Sequence, residues 1–581
     1  MTPTARFDDL RPGRRRGFAL GPVVRTITAD SPGEVPAALD AAQAEVESGR
    51  WVGGWVCYEA APAFDHLSVR AREGTAFESL PLVWMGVAEE RTPTVPATGE
   101  EAMSDWRPLR EEAGHLAAVE RVRQRIRAGD TYQVNLTFLL ESHFQGDAAA
   151  FYQRIIRSQS CGYGALVDAG EWVVASASPE LFFEWRDGTI TCRPMKGTAP
   201  RGVDAAGDEA MRAWLESSEK NRAENVMIVD MVRNDLGRIA QVGSVEVPAL
   251  LTTEKYDTVW QLTSTVRARP LPGTDLVDVF GALFPSASIT GAPKVSTMQV
   301  ISRLESHPRG VYCGAIGFGG PGREGPEWAF NVGIRTVAIH RTSGVAYYGT
   351  GGGITYDSVP ADEYREALLK AEVLTRPGGE LGLIETTRWD PNLGARHLAR
   401  HLERAAASAR YFDIPFDPAE MRSAIHRATK GRYRPARLRI LIDRDGWIST
   451  EVADLPGAGT PRLAIDDRPV DPADPFLYHK TSVRRVHEEA ARRHPGADDV
   501  ILWNRRGEVT ETTVGNLAIR LDGLWVTPPV SSGLLAGTER AARLESGELV
   551  ERVVRREDLR AATGVARLNS VRGWEDAHLI D

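Results

Sequence analysis

Pro194-Met195-Lys196-Gly197-Thr198 sets a lysine between a proline and a glycine. Flanks of that kind read as a tight, rigid turn, and an amine held in one is a candidate nucleophile. Glu363 and Glu366 stand three residues apart in an Ala/Leu/Glu-rich stretch, so on a helix they face the same way. Glu224 heads a second amphipathic stretch, with Val226, Ile228 and Val229 available for its buried side. Carboxylates brought together from two helices repel one another unless a divalent cation lies between them. Mg2+ takes a few such oxygens together with water and a substrate carboxylate.

Those groups need a scaffold. His115, Leu116, Val119, Val122 and Ile126 repeat at helical spacing from about 113, and Gly129 ends that helix. Strand-like runs and helices then mix irregularly to about 375 without regular βα alternation, which predicts an α+β domain around a large antiparallel sheet. Residues 1 to about 105 hold short β-like runs such as 51–58, and 89–108 reads as a loop. At Thr375-Arg376-Pro377-Gly378-Gly379-Glu380 a proline and two glycines end the preceding helix. The expected division is a first domain over 1–375 with its core at about 110–375, a linker over 376–382 and a second domain over 383–581. The second domain reads as a helix around 394–410, strands at 437–442 and 499–504, and a strand pair around 515–527.

A chain of 581 residues exceeds one hydrophobic core, which agrees with two domains. Its net charge of -9 argues against a nucleic-acid or anionic-membrane surface, since those partners need a basic footprint. No window approaches a membrane-spanning helix. Arg14-Arg15-Arg16 and the short run Phe18-Ala19-Leu20 are too brief and interrupted for a secretory signal. Cys57, Cys161, Cys192 and Cys313 lie far apart, fitting neither a zinc site nor a disulfide framework, so a cytoplasmic location is expected.

Six motifs follow in order: Gly-Asp-Thr-Tyr-Gln-Val-Asn-Leu at 129–136, Ala-Ser-Pro-Glu-Leu-Phe at 177–182, the lysine segment at 194–201, the Ala-Glu-Asn stretch at 223–235, Ser-Ile-Thr-Gly-Ala-Pro-Lys at 288–294, and Gly351-Gly352-Gly353 leading to 362–366. Together they resemble the chorismate-utilising enzymes over roughly 110–375. The resemblance implies Mg2+ on Glu224, Glu363 and Glu366, with Asn221 where some relatives carry an acid. It implies that Lys196 adds to C2 of chorismate while Glu180 protonates the hydroxyl leaving C4, after which ammonia attacks C4 and expels the lysine. Relatives that add water carry a lysine at the position of Gln133, and anthranilate-forming relatives carry an alanine at that of Lys196. Lysine at 196 is similar to members that aminate C4. Tyr312 and Arg335 match the clamp on the enolpyruvyl carboxylate, and Ser288, Gly291, Ala292, Gly351, Gly352 and Gly353 would complete the substrate site through close backbone approach. Gln261 stands where some relatives have a catalytic histidine, so the enolpyruvyl group is expected to survive this step.

Tyr478-His479-Lys480-Thr481-Ser482, the stretches at 509–517 and 533–538, and His401-Leu402-Glu403-Arg404 upstream resemble the branched-chain aminotransferase-like, fold type IV enzymes over about 383–574. That resemblance implies pyridoxal 5'-phosphate carried by Lys480, a pyridine nitrogen met by Glu511, and a phosphate met by Arg404 and by the N–H groups of Gly537 and Thr538 at a helix start. It also implies a homodimer through this domain. Joined to C4 amination, the matching chemistry is elimination of pyruvate to 4-aminobenzoate, a step towards folate. The alternatives are a branched-chain or D-amino-acid aminotransferase and a non-catalytic, cofactor-binding regulatory module. No Gly-X-Cys-X-Gly elbow surrounds Cys161 or Cys313, so ammonia is expected from a separate glutamine amidotransferase subunit.

Overall fold

The computed structural model describes residues 3–11, 16–158, 161–375, 381–457 and 459–580. Arg14, Arg15 and residues 376–380 of the expected linker lie outside them. Two compact units are present, one of Met1–Pro200 with Arg212–Gly378, the other of Arg201–Met211 with Gly379–Asp581. Among the described residues no helix is long and apolar enough to cross a membrane.

In the first unit an eleven-stranded and a ten-stranded sheet pair antiparallel throughout the described residues. The long strand Gln133–Gly146 lies next to one edge of the first sheet and runs against Val345–Ile354 from His143↔Val345 to Val134↔Ile354. Four of the ten positions in Val345–Ile354 are glycine, which weakens a strand unless something needs the space. Here something does: a Cβ on Gly349 would lie 2.1 Å from the Tyr312 ring, and one on Gly353 would lie 2.1 Å from Lys196 Nζ. The segment 89–108, expected as a loop, contains the short strands Arg91–Pro93, Glu101–Met103 and Arg107–Pro108, and the last two add to the overhanging edge of Gln133–Gly146.

Lys196 lies not in a turn but on Met195–Pro200, an edge strand of the second sheet paired with Val259–Ala268. The register slips between Met195 and Thr198, where Gly197 takes φ 97°, so the glycine serves a bulge and the proline precedes the strand. The helix Glu219–Gly237 lies against these two strands and is capped by the Ser218 side chain. Its buried face is Asn225, Ile228, Val229, Val232 and Leu236, which leaves Val226 exposed about a quarter-turn away, and Glu224 sits in the second turn rather than at the head. The helix Pro360–Ala371 starts with proline and carries Asp362 and Glu363 in its first turn, where acids suit the helix dipole. It buries Tyr364, Ala367 and Ala371, so Glu363, Glu366 and Lys370 share another face.

The second unit contains a four-stranded antiparallel sheet, ordered Gly394–Ala395, Leu383–Asp390, Ala436–Ile442, Ile448–Asp454. The helices Leu398–Phe412 and Pro418–Thr429 bury Leu402, Ala405, Met421 and Ile425 with Leu438 and Ile440 of that sheet. A mixed eight-stranded sheet follows, in which Arg462–Ile465 runs parallel to Asp499–Trp503 and to Gly573–Leu579. The expected helix at 394–410 is Leu398–Phe412, and the expected strand pair at 515–527 is Asn516–Leu521 with Leu524–Thr527.

Candidate active sites

In the first unit a cavity of about 430 Å³ is lined by Glu180, Lys196, Glu224, Ser288, Tyr312, Arg335, Gly351, Gly353, Glu363 and Glu366, a set drawn from both sheets and two helices. The backbone of Lys196 is clamped from both sides: Asn225 Nδ2 donates to the Lys196 carbonyl at 2.9 Å, and Gln261 Nε2 to that of Gly197 at 2.9 Å. Burial lowers the Lys196 pKa, against the pull of Glu224, while Lys370 lowers it further. More of the free amine, the nucleophilic form, is therefore present at neutral pH than on an ordinary lysine.

Glu180 is buried, and its carboxyl accepts from Ser288 Oγ at 2.5 Å and from the backbone N–H of Met195. Burial raises it to about 7, with Ser288, Met195 and Lys196 pulling the other way. A carboxyl poised there can give up a proton near neutrality. Tyr312 and Arg335 come together on the wall, Arg335 at the left-handed φ of 51°. Gly291, Ala292 and Gly352 do not line the cavity. Gly291 and Ala292 pair with Val134 and Gln133, and a Cβ on Gly291 would fall 2.1 Å from the Gln133 carbonyl, so close strand packing accounts for the glycine. Gly352 instead lies beside Glu363, whose Oε2 would be 3.2 Å from an added Cβ.

Glu224, Glu363 and Glu366 face one cavity from two helices. Glu363 accepts from Ser358 Oγ at 2.6 Å and Glu366 pairs with Lys370 at 2.8 Å. Burial and nearby Glu366 raise the Glu363 pKa, whereas Lys370 lowers that of Glu366. Among the described residues no three acidic, histidine or cysteine groups already stand as a closed metal cluster. The donor set nevertheless fits Mg2+, which keeps water and substrate oxygens in its shell and needs only one or two protein carboxylates.

The second unit holds a cavity of about 710 Å³, lined by Arg404, Lys480, Glu511, Gly537 and Thr538 together. The Lys480 carbonyl accepts from Ile384 N at 2.8 Å, which ties the lysine to the four-stranded sheet. Burial, with Arg484 and Arg404, lowers its pKa to about 8, against Glu385 and Glu511. Glu511 is 4% exposed; its two oxygens meet His487 Nε2 at 3.3 Å, Asn516 Nδ2 at 3.2 Å and Leu535 N at 3.3 Å. Thr538 opens the helix Thr538–Glu545 with Gly537 as its cap, and a Cβ on Gly537 would lie 1.8 Å from Asn516 Oδ1. An amine, a buried acid, an arginine and a helix start with free N–H groups are the donor set that pyridoxal 5'-phosphate needs.

Two further residues bear on these cavities, and one of them, Glu385, carries little mark in the sequence. Glu385 takes Arg404 in a two-pronged pair at 3.0 and 2.6 Å and accepts from His401 Nδ1 at 2.6 Å, while His401 Nε2 meets Ser570 Oγ at 2.8 Å. Burial would raise the Glu385 pKa, but Arg404 and His401 outweigh it and hold it at about 2. The one cue is an acid at the start of the apolar strand Leu383–Asp390. Gln133 is 1% exposed with neither amide atom hydrogen-bonded to protein, and its Nε2 would be 2.6 Å from a Cβ on Gly353, beside Lys196. An orphaned buried amide at a cavity edge is suited to meet substrate.

The sequence pattern of the family described as chorismate binding enzyme matches residues 34–376, and that of amino-transferase class IV matches residues 382–580. An aminodeoxychorismate synthase from Streptomyces griseus is 43% identical over 265 residues, covering 45% of this chain and 36% of that protein. An aminodeoxychorismate synthase component 1 from Bacillus subtilis is 38% identical over 265 residues, covering 46% of this chain and 55% of that protein. The chain thus spans between about a third and a little over half of these relatives. Anthranilate synthase component I from Streptococcus pneumoniae superposes with a TM-score of 0.52 at 25% identity, covering 65% of this chain and 91% of that one.

Proposed function

We propose, for a chain that belongs to the chorismate binding enzyme family, that its two units catalyse successive steps from chorismate to 4-aminobenzoate. The observation that carries this reading is the shared cavity of Lys196 and Glu180, an amine with a lowered pKa beside a carboxyl poised at about 7. The Lys196 amine bonds to C2 of the ring, both conjugated ring double bonds shift by one position towards C4, and the C4 hydroxyl departs as water with the Glu180 proton. Ammonia then bonds to C4, the double bonds return and the C2–N bond to Lys196 breaks, giving 4-amino-4-deoxychorismate. Arg335 and Tyr312 hold the enolpyruvyl carboxylate. Glu224, Glu363 and Glu366 would hold Mg2+, which would neutralise the ring carboxylate in a cavity already rich in acids.

In the second unit, bound pyridoxal 5'-phosphate would supply the electron-withdrawing ring that makes the C4 proton of the aminated substrate acidic. Arg404 and the N–H groups of Gly537 and Thr538 would hold its phosphate, and Glu511 would keep the proton on its ring nitrogen. Lys480, at about 8, takes the C4 proton and returns one to the enolpyruvyl methylene carbon, so that pyruvate leaves and the ring becomes aromatic.

Ammonia comes from a separate glutamine amidotransferase subunit. Hydrolysing glutamine needs a thiolate, but all four cysteines are buried and burial pushes Cys161 and Cys313 up to about 12. The deciding assay supplies the purified chain with chorismate, ammonium, Mg2+ and pyridoxal phosphate. The expected product is 4-aminobenzoate, with glutamine a poor substitute until an amidotransferase is added. Anthranilate as the main product would sink the first step, and transfer between an amino acid and a 2-oxo acid in place of pyruvate release would sink the second.

Glu385 yields a separate expectation. Glu385→Gln should weaken pyridoxal phosphate binding by about tenfold, since it removes the charged partner that aims Arg404. Equilibrium dialysis followed by the cofactor's visible absorbance measures this directly.

A further inference from the structure

Arg309 is 3% exposed and lies outside the lining of the Lys196 cavity, yet its guanidinium is fully engaged. Nε and Nη2 donate to Glu305 at 2.9 and 2.7 Å, Nη1 donates to the Ile289 carbonyl at 2.9 Å, and Nη2 to the Asn135 carbonyl at 2.8 Å. The group also sits 4.5 Å from the centre of the Tyr58 ring. Glu305 in turn accepts from Thr137 N and Oγ1 at 2.9 and 2.8 Å. The backbone N–H groups of Arg309 and Gly310 donate to buried Glu59 at 2.7 and 2.9 Å, which fixes the loop from which the arginine projects.

The two carbonyls are not arbitrary. Asn135 and Ile289 both line the Lys196 cavity, and Asn135 Nδ2 reaches the same Ile289 carbonyl at 3.1 Å. Ile289 follows Ser288, whose hydroxyl donates to Glu180 at 2.5 Å. One rigid, planar cation therefore joins the strand Gln133–Gly146, the short turn Ala287–Ile289 and the loop that carries Tyr312, whose N–H donates to the Arg309 carbonyl at 3.2 Å. A buried charge is an expensive way to fill space, and apolar side chains of similar volume often serve stability as well or better. Its bonds to two cavity-lining carbonyls give it another use.

We propose that Arg309 is a positioning residue for the amination step, bracing the turn that presents Ser288 to Glu180. This rests on the reading of Glu180 as the acid that protonates the departing hydroxyl. The charged or polar groups facing Glu180 are Ser288, the Met195 N–H and Lys196, and of these Ser288 is the one whose neighbouring carbonyl, that of Ile289, Arg309 holds. Ser288 favours the ionised carboxyl, so loosening it raises the pH at which Glu180 loses its proton.

The test compares Arg309→Met, Arg309→Lys and Ser288→Ala in the full chain. In Arg309→Met and Ser288→Ala the limb that Glu180 sets in the pH profile of kcat for ammonium-dependent amination should move up by about one unit. Arg309→Lys, which keeps a cation able to reach one carbonyl, should restore part of the shift. Lys480-dependent release of pyruvate from supplied 4-amino-4-deoxychorismate should stay at the parent rate in all three. A fall in active protein with the Glu180 limb unmoved means a merely structural role and overturns the proposal. Hydrogen exchange gives a second reading that needs no amination: in Arg309→Met the amides of 133–137 and 287–291 should exchange about tenfold faster, the loss expected for a charge-assisted bond. Unchanged exchange there overturns the brace. If the parent chain does not aminate chorismate, the functional reading fails while exchange still decides the brace. If Arg309→Met does not fold, Arg309→Lys and Ser288→Ala are read in its place.

Discussion

Lys480→Ala should stop 4-aminobenzoate formation and cause 4-amino-4-deoxychorismate to accumulate, with amination continuing at the parent rate. Among the described residues that line the second cavity Lys480 is the one lysine, so no neighbour there offers an amine to take over the proton transfers proposed for it. Removing a positioned acid–base group costs about 10²–10⁴-fold, and the lyase step should fall by that much. Borohydride reduction of the pyridoxal phosphate-loaded parent should label Lys480, and the variant should take no label. Adding a separate lyase to the variant should restore 4-aminobenzoate, because the described residues that line this cavity all belong to the second unit. In the parent, the base form of Lys480 predominates above about pH 8, so the lyase rate should rise through that pH. Burial and the two arginines are what bring an amine from its ordinary 10.5 into this range. Pyruvate release from Lys480→Ala at the parent rate would remove the lysine from the mechanism.

The difference between what the sequence announces and what it hides follows from where the partners lie. Lys480, Glu511 and Gly537-Thr538 sit in short motifs whose residue types name their own chemistry, and the fold gathers all of them around one cavity with Arg404. Glu385 is silent because its partners, His401 and Arg404, come from the following helix and its role exists only once strand and helix pack. Asn225 has its neighbours quoted in the same motif, but its bond to the Lys196 carbonyl spans 29 residues and a sheet–helix contact. The lysine segment shows the limit of local reading. Proline and glycine report what the dihedrals at 194 and 197 tolerate, whereas the strand itself is set by Val259–Ala268, some sixty residues on. The same applies to Gly291, Ala292 and Gly352: the need for glycine or a small residue is visible in sequence, but whether the space serves a substrate or a neighbouring strand is settled by packing. Val226 was assigned to the core from hydrophobicity, and Asn225 holds that face because its amide satisfies two buried carbonyls and a serine hydroxyl.

Lys196→Ala carries the other large effect. C4 amination should fall by about 10²–10⁴-fold, or be replaced by amination at C2, while the Lys480 unit still releases pyruvate from supplied 4-amino-4-deoxychorismate. The argument begins with space. Gly353 leaves room for Lys196 Nζ beside the Gln133 amide, and with the amine gone that volume is open to ammonia. The amine thus both activates the ring and occupies the place from which a competing nucleophile would attack. The pH profile separates this role from simple packing. In the parent, the proposed chemistry needs Lys196 unprotonated and Glu180 protonated, which gives a bell with one limb set by Glu180 at about 7 and the other by Lys196. Lys196→Ala should lose the limb that Lys196 sets, because no amine remains to be protonated, and keep the Glu180 limb, moved up because the lysine charge no longer pulls that carboxyl down. Mass spectrometry of the parent quenched during turnover with chorismate and no ammonia should find the ring covalently attached at Lys196 and absent from the alanine variant. A variant that makes 4-amino-4-deoxychorismate at the parent rate with both limbs intact would leave Lys196 no covalent part in the reaction.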